Sequence, residues 1–241
     1  AAAKLPDSRR QELRARLDAA EREIAGLPNP DPDSFQAILP LNETHARIAS
    51  VFGPVSQARG LPVFFAWKKH RYDYLTPHET PVAAPATPAL NIEMLQDEFR
   101  ADAFLLSNLS EKPVTAAVRV KGLPGAPAPA WLRIAAVPWT DTAQRQPVAA
   151  ALPDAAFADG AFRVPVPAGF TCKVWVTVDS AALKPGTHHG ALVIEGAGQP
   201  VSVPFSLRVS AVKMSRPRLS LGMWDYTDGR GNYGITPTNR A

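Results

Sequence analysis

FRVPVPAGFTCKVWVTVDSAALKPGTHHGALVIEGAGQPVSVPFSLRVS, residues 162–210, is the stretch that decides the fold. It holds runs in which apolar and polar side chains alternate, the period-2 pattern of strands with one buried face. Val174, Val176 and Val178 fall on one face and Lys173, Trp175 and Thr177 on the other. Leu192 and Ile194 share a face, as do Val201, Val203, Phe205, Leu207 and Val209. Pro-Ala-Gly at 167–169, Lys-Pro-Gly at 184–186 and Gly196 to Gly198 supply the turns, since proline presets φ and glycine accepts positive φ. Strands of this length and patterning satisfy their greasy faces by packing two sheets together.

Working upstream, residues 91–100 read as an extended edge segment, and 101–109 with 114–121 as a hairpin around Ser-Glu-Lys-Pro. Phe104 and Leu106 are expected to face inward from its first arm, and Val114, Val118 and Val120 from its second. Residues 131–139 form a further strand, with Leu132 and Ile134 on one face and Trp131, Arg133 and Trp139 on the other. With a short strand at 161–166 there are about seven to nine strands, the number an immunoglobulin-like antiparallel β-sandwich requires. The chain is therefore expected to be mainly β, with an N-terminal helical segment and the start of a βα unit at its C-terminal end. Cys172 alternates onto the buried face with Val174 and has no second cysteine to pair with.

Nearer the N-terminus, Leu13, Leu17, Ala20 and Ile24 recur at helical spacing through residues 7–26, with Asp7 or Ser8 placed to cap the start and an i,i+4 pair between Glu12 and Arg16. The stripe is narrow, so this helix has to dock on something. A weaker helix is expected over 33–52, interrupted by Pro40. LPVFFAWKKHRYDYL at 61–75 is the most aromatic stretch and begins as a strand. The prolines of 77–90 (Pro77, Pro81, Pro85 and Pro88) make a spacer. These shifts divide the chain into a helical segment (1–60), an aromatic strand with its spacer (61–90), the sandwich (91–214) and a linker opening a following domain (215–241).

Composition narrows the function. The 241 residues include 25 prolines and 15 glycines, spread between strands as in a loop-rich β domain. No apolar run reaches the roughly 20 residues of a spanning helix. A net charge of +4, with Lys and Arg scattered, gives no nucleic-acid footprint. A single cysteine with abundant alanine and proline suits an extracytoplasmic protein, periplasmic or secreted. No nucleophile triad, phosphate loop, zinc spacing or dinucleotide fingerprint is present, so neither catalytic residues nor a metal or other cofactor is expected. Glu93, Asp97 and Glu98 lie close in sequence, but a solvated or ion-paired edge accounts for them. His188 and His189 are adjacent on a strand and point to opposite faces, which forbids chelation from one side. His70, Arg71, Tyr72, Asp73 and Tyr74 form a polar-aromatic cluster suited to an interface. Trp131, Trp139 and Trp175 fall on outward faces, where exposed indoles can stack on sugar rings; packing against other elements is the alternative.

NIEMLQDEFRADAFLLSNLSEKPVT at 91–115, VPAGFTCKVWVTVD at 166–179, LKPGTHHGALVIEG at 183–196 and LSLGMWDYTDG at 219–229 resemble the N-terminal region of large bacterial glycoside-hydrolase-like proteins. In those a β-sandwich precedes a (β/α)8 barrel. The resemblance implies a non-catalytic accessory sandwich that orients and shields a barrel beyond residue 241, with that barrel or a partner chain as its neighbour. It also implies that Trp224, Asp225, Tyr226 and Asp228 stand at the barrel mouth. A carbohydrate-binding or adhesion module acting on polysaccharide through the tryptophans is the second expectation.

Overall fold

A computed structural model of the chain describes residues 5–29, 37–142 and 146–215. Three helices come first: α1 (Asp7–Ile24), α2 (Glu43–Ser50) and α3 (Phe52–Gln57). Ten strands follow: β1 (Phe64–Trp67), β2 (Leu90–Gln96), β3 (Phe99–Asn108), β4 (Val114–Lys121), β5 (Leu132–Val137), β6 (Ala156–Ala158), β7 (Ala161–Val166), β8 (Thr171–Asp179), β9 (Gly186–Glu195) and β10 (Val201–Lys213). They form a four-stranded sheet ordered β1-β3-β8-β5 and a six-stranded sheet ordered β2-β10-β9-β4-β7-β6, packed face to face.

The alternation read from residues 162–210 sets the register. Val174, Val176 and Val178 of β8 are fully buried between the sheets, opposed by Leu192, Ile194, Val203, Phe205 and Leu207. Phe104 and Leu106 of β3 join them, as do Val118 and Val120 of β4. Cys172 lies in the same core, and burial pushes its thiol up to about 12, so it is a small hydrophobe in practice.

Three details depart from the sequence expectations. First, β3 and β4 are not a hairpin: β3 belongs to one sheet and β4 to the other. The chain arches across the core at Asn108, which is fully buried. Its Nδ2 donates to Lys112 O (2.8 Å) and Val166 O (2.9 Å), and its Oδ1 accepts from Ser110 N (3.0 Å). A buried amide with its bonds satisfied holds the arch without an unpaired polar group. Second, the sandwich is not wholly antiparallel, because β2 runs parallel to β10, with Leu90 opposite Phe205 and Ile92 opposite Leu207. Third, Glu12 bonds Arg9 (2.5 Å), while Arg16 reaches Glu111 (2.9 Å) on the β3–β4 arch. The first helix is also entered without a side-chain cap, from Pro6.

The helices sit on the sandwich at backbone distance. A Cβ built on Gly53 of α3 would lie 2.2 Å from Leu109 O, and one built on Gly169 would lie 1.9 Å from Ala49 O of α2. Only glycine fits at either contact. His78 is held in this seam, stacked on Phe52 (4.0 Å between centroids) and edge-on to Phe170 (4.8 Å), with Nδ1 donating to Gly169 O (2.8 Å). The predicted βα opening at 217–241 lies outside the described residues.

Candidate functional site

The outer face of the four-stranded sheet carries a cleft. Its floor comes from β8. Trp175 is paired across the sheet with Ala103 of β3 on one side and Ala135 of β5 on the other. Two alanines flanking an indole keep the neighbouring surface low, so the ring stands clear of the sheet and remains half-buried. Lys173, two residues earlier on the same face, lies between Leu105 and Val137 and is buried along its stem.

One wall is the loop at 68–79, fastened at several points. Lys69 Nζ donates to Tyr74 O and to Glu79 Oε1, both at 2.5 Å. Thr171 N donates to Pro77 O (2.7 Å) and its hydroxyl to Glu79 O (2.6 Å), while the same hydroxyl meets Ser107 Oγ (2.6 Å), which accepts from Trp67 Nε1 (2.9 Å). Lys173 Nζ donates to Arg71 O at 2.9 Å, tying the loop tip to the floor. Burial lowers the Lys173 ammonium below the ordinary lysine value, with Asp73 opposing that shift and Lys69 reinforcing it. The opposite wall is the segment of Pro147, Val148 and Ala149 to Leu152 beside β5. The cleft between the walls has a volume of about 330 Å³.

Aromatic surface dominates the accessible part. Tyr72 and Tyr74 are 71% and 67% exposed, and the Tyr72 ring lies 6.0 Å from that of Trp175 at 52°. The Arg71 guanidinium sits 4.8 Å from the Tyr72 ring centre. This is an aromatic-walled groove with two cations, Arg71 and Lys173, and one carboxylate, Asp73.

The three tryptophans singled out by alternation have different fates. Trp175 lines the cleft. Trp131 and Trp139 are buried, at 8% and 2% exposure, and are corrected from surface to core. Each indole spends its N–H on a backbone carbonyl, Trp131 on Pro124 O (2.9 Å) and Trp139 on Thr171 O (2.7 Å), as buried indoles do. Alternation marked them as outward, but the outer face of this sheet is itself covered by loops. Trp224, Asp225, Tyr226 and Asp228 lie outside the described residues. Tyr72, Tyr74, Arg71 and Asp73, read from sequence as interface packing, are the residues brought together with Trp175.

The other sequence candidates are structural. Glu93 pairs with Arg208 (2.5 Å), and that guanidinium holds its carboxyl below the usual range. Glu98 pairs with Arg100 (2.6 Å) and caps Leu95 N (2.7 Å), and Asp97 pairs with Lys213 (3.4 Å). His188 shares a register position with Leu207 and bonds Lys184 O, while His189 is exposed on the other face. Among the described residues no three His, Cys, Asp or Glu side chains gather as a metal would require, and no helix is long and apolar enough to cross a membrane.

The sequence matches no protein-family model and no curated protein. Partial likenesses to solved structures exist. A family 123 glycoside hydrolase from Clostridium perfringens, studied for glycolipid glycan hydrolysis, aligns at 10% identity and a TM-score of 0.38 over 53% of this chain and 24% of its own. A PapD-like domain of human CEP192 aligns at 11% identity and 0.31 over 61% of this chain and 100% of its own. A non-cellulosomal cohesin from Archaeoglobus fulgidus aligns at 15% identity and 0.30 over 52% of this chain and 90% of its own. The chain thus spans about a quarter of the hydrolase's length. At these values the likeness says nothing of activity.

Proposed function

We propose that this chain is a non-catalytic accessory β-sandwich of a carbohydrate-active, glycoside-hydrolase-like protein, and that it holds saccharide in the cleft over Trp175. The observation that carries the reading is the convergence of Tyr72, Tyr74 and Trp175 on one groove. Sugar rings present flat C–H faces that pack on aromatic planes, and hydroxyls that need donors and acceptors at the rim. The cleft supplies both: three aromatic side chains, with Arg71, Lys173 and Asp73 beside them. Its volume of about 330 Å³ lies within the range of ligand clefts and has room for a short run of sugar rings. In this reading the barrel partner implied by residues 219–229 performs the chemistry, the sandwich keeps the polymer near it, and the assembly works outside the cytoplasm.

Affinity electrophoresis of the chain through gels containing soluble polysaccharides tests the proposal. Retardation is expected on at least one polymer, and Tyr72→Ala or Trp175→Ala should weaken it roughly tenfold, about 1.4 kcal/mol, as truncation of a central aromatic anchor does. No retardation on any polymer, or retardation untouched by both substitutions, overturns it.

A further inference from the structure

Resting on the saccharide reading of the cleft, we propose that its ligand carries a ring carboxylate, a uronic acid, received by Arg71 with Lys173 at its base. The argument begins with an unspent cation. The side chain of Arg71 makes no hydrogen bond and no ion pair among the described residues, and its Nε is buried without an acceptor. Guanidinium is always charged and carries five N–H donors in a fixed plane. Leaving it half-enclosed and unpaired is costly, and proteins normally match such a group with a carboxylate or a carbonyl. Here the guanidinium carbon lies 4.8 Å from the Tyr72 ring centre, and its terminal N–H groups, unspent among the described residues, can take a planar, bidentate partner.

The charges around it point the same way. Lys173 spends one donor on Arg71 O, which leaves donors of its ammonium beside the cleft. Lys69 is neutralised by Glu79. Asp73 is the only carboxylate lining the cleft among the described residues, and it stands 3.9 Å from His70. Among the described residues two cations stand against one anion, so a ligand charge of −1 on a ring stacked beside Tyr72 and Trp175 completes the balance. A neutral sugar satisfies the aromatic floor but leaves Arg71 as it stands.

Calorimetry of the whole chain with short oligomers of galacturonate, glucuronate and mannuronate, each beside its methyl ester, and with neutral oligosaccharides of cellulose and xylan, tests this in 0.15 M salt. The ester keeps the ring and removes the charge. At least one acid form is expected to bind tenfold or more tightly than its ester. Arg71→Gln should abolish that difference, bringing acid affinity down to that of the ester, and Arg71→Lys should restore part of it. Equal affinity for acid and ester, or a preference that survives Arg71→Gln, overturns the proposal. If neutral oligosaccharides bind through Tyr72 and the acids do not, only the uronate preference falls. If no saccharide binds, the cleft reading falls with it.

Discussion

Replacing Gly169 by alanine measures how firmly the helices are part of this sandwich. Gly169 has φ 75° and sits where β8 begins, and a Cβ there would stand 1.9 Å from Ala49 O and 2.7 Å from its carbonyl carbon. Two costs follow. An L-residue in the left-handed region costs about 1 kcal/mol. The clash is with backbone, so no side chain can swing aside. Helix α2 has to shift, and forced overpacking of this kind costs about 1–3 kcal/mol. Gly60 is the matched control: its φ is 88°, and nothing lies within 4 Å of the Cβ it would gain. Both substitutions lower the entropy of the unfolded chain alike, so the difference between them isolates the contact. Gly169→Ala should lose about 1–3 kcal/mol more than Gly60→Ala in urea unfolding. It should also speed proteolysis within α2. Equal losses for the two variants would refute the close docking of α2 on the start of β8.

Two further predictions concern the core and the seam. Phe205, 1% exposed between the sheets, should cost about 3–5 kcal/mol on truncation to alanine, and a loss under ~1 kcal/mol in urea unfolding would remove it from the core. Burial holds the His78 imidazole below its ordinary value, against its bond to Gly169 O, with His45 adding to the depression. With the folded value below the unfolded one, the unfolded chain takes up the proton first as pH falls. The stability is therefore present above about pH 6.5 and lost as pH falls through the folded value. His78→Asn retains a donor for Gly169 O without the titration, so it should flatten the fall in melting temperature below pH 6.5; an unchanged slope would place the acid sensitivity elsewhere.

The sandwich core was legible because its chemistry is local and periodic. Every second residue is apolar from Cys172 to Val178 in β8 and from Val201 to Ala211 in β10, and period 2 leaves one face for each. The arch at 108–113 was not, since Ser-Glu-Lys-Pro suits a tight hairpin as well as a crossing between sheets. What separates them is the buried Asn108 and its bond to Val166, far along the chain. Trp131 and Trp139 were misplaced for a related reason. Alternation reports which residues share a face, but not whether something covers it. The cleft had both halves visible, the aromatic cluster at 70–74 and Trp175 on β8. Their meeting depends on a loop crossing the outer face of the four-stranded sheet, and no spacing in the sequence encodes that.

The parallel pairing of β2 with β10 has a consequence for synthesis. Leu90 leaves the ribosome roughly a hundred residues before its partner Phe205. At about 5–20 residues per second, β2 waits on the order of ten seconds with neither backbone edge paired and Leu90, Ile92 and Met94 uncovered. An apolar strand with an open edge is the kind of surface that chaperones hold and neighbouring chains capture. The nascent chain is therefore most vulnerable late, when almost all of the sandwich has been made and its last strand has not. Ribosome stalling within the codons for β10 should yield more aggregate than release of the finished chain.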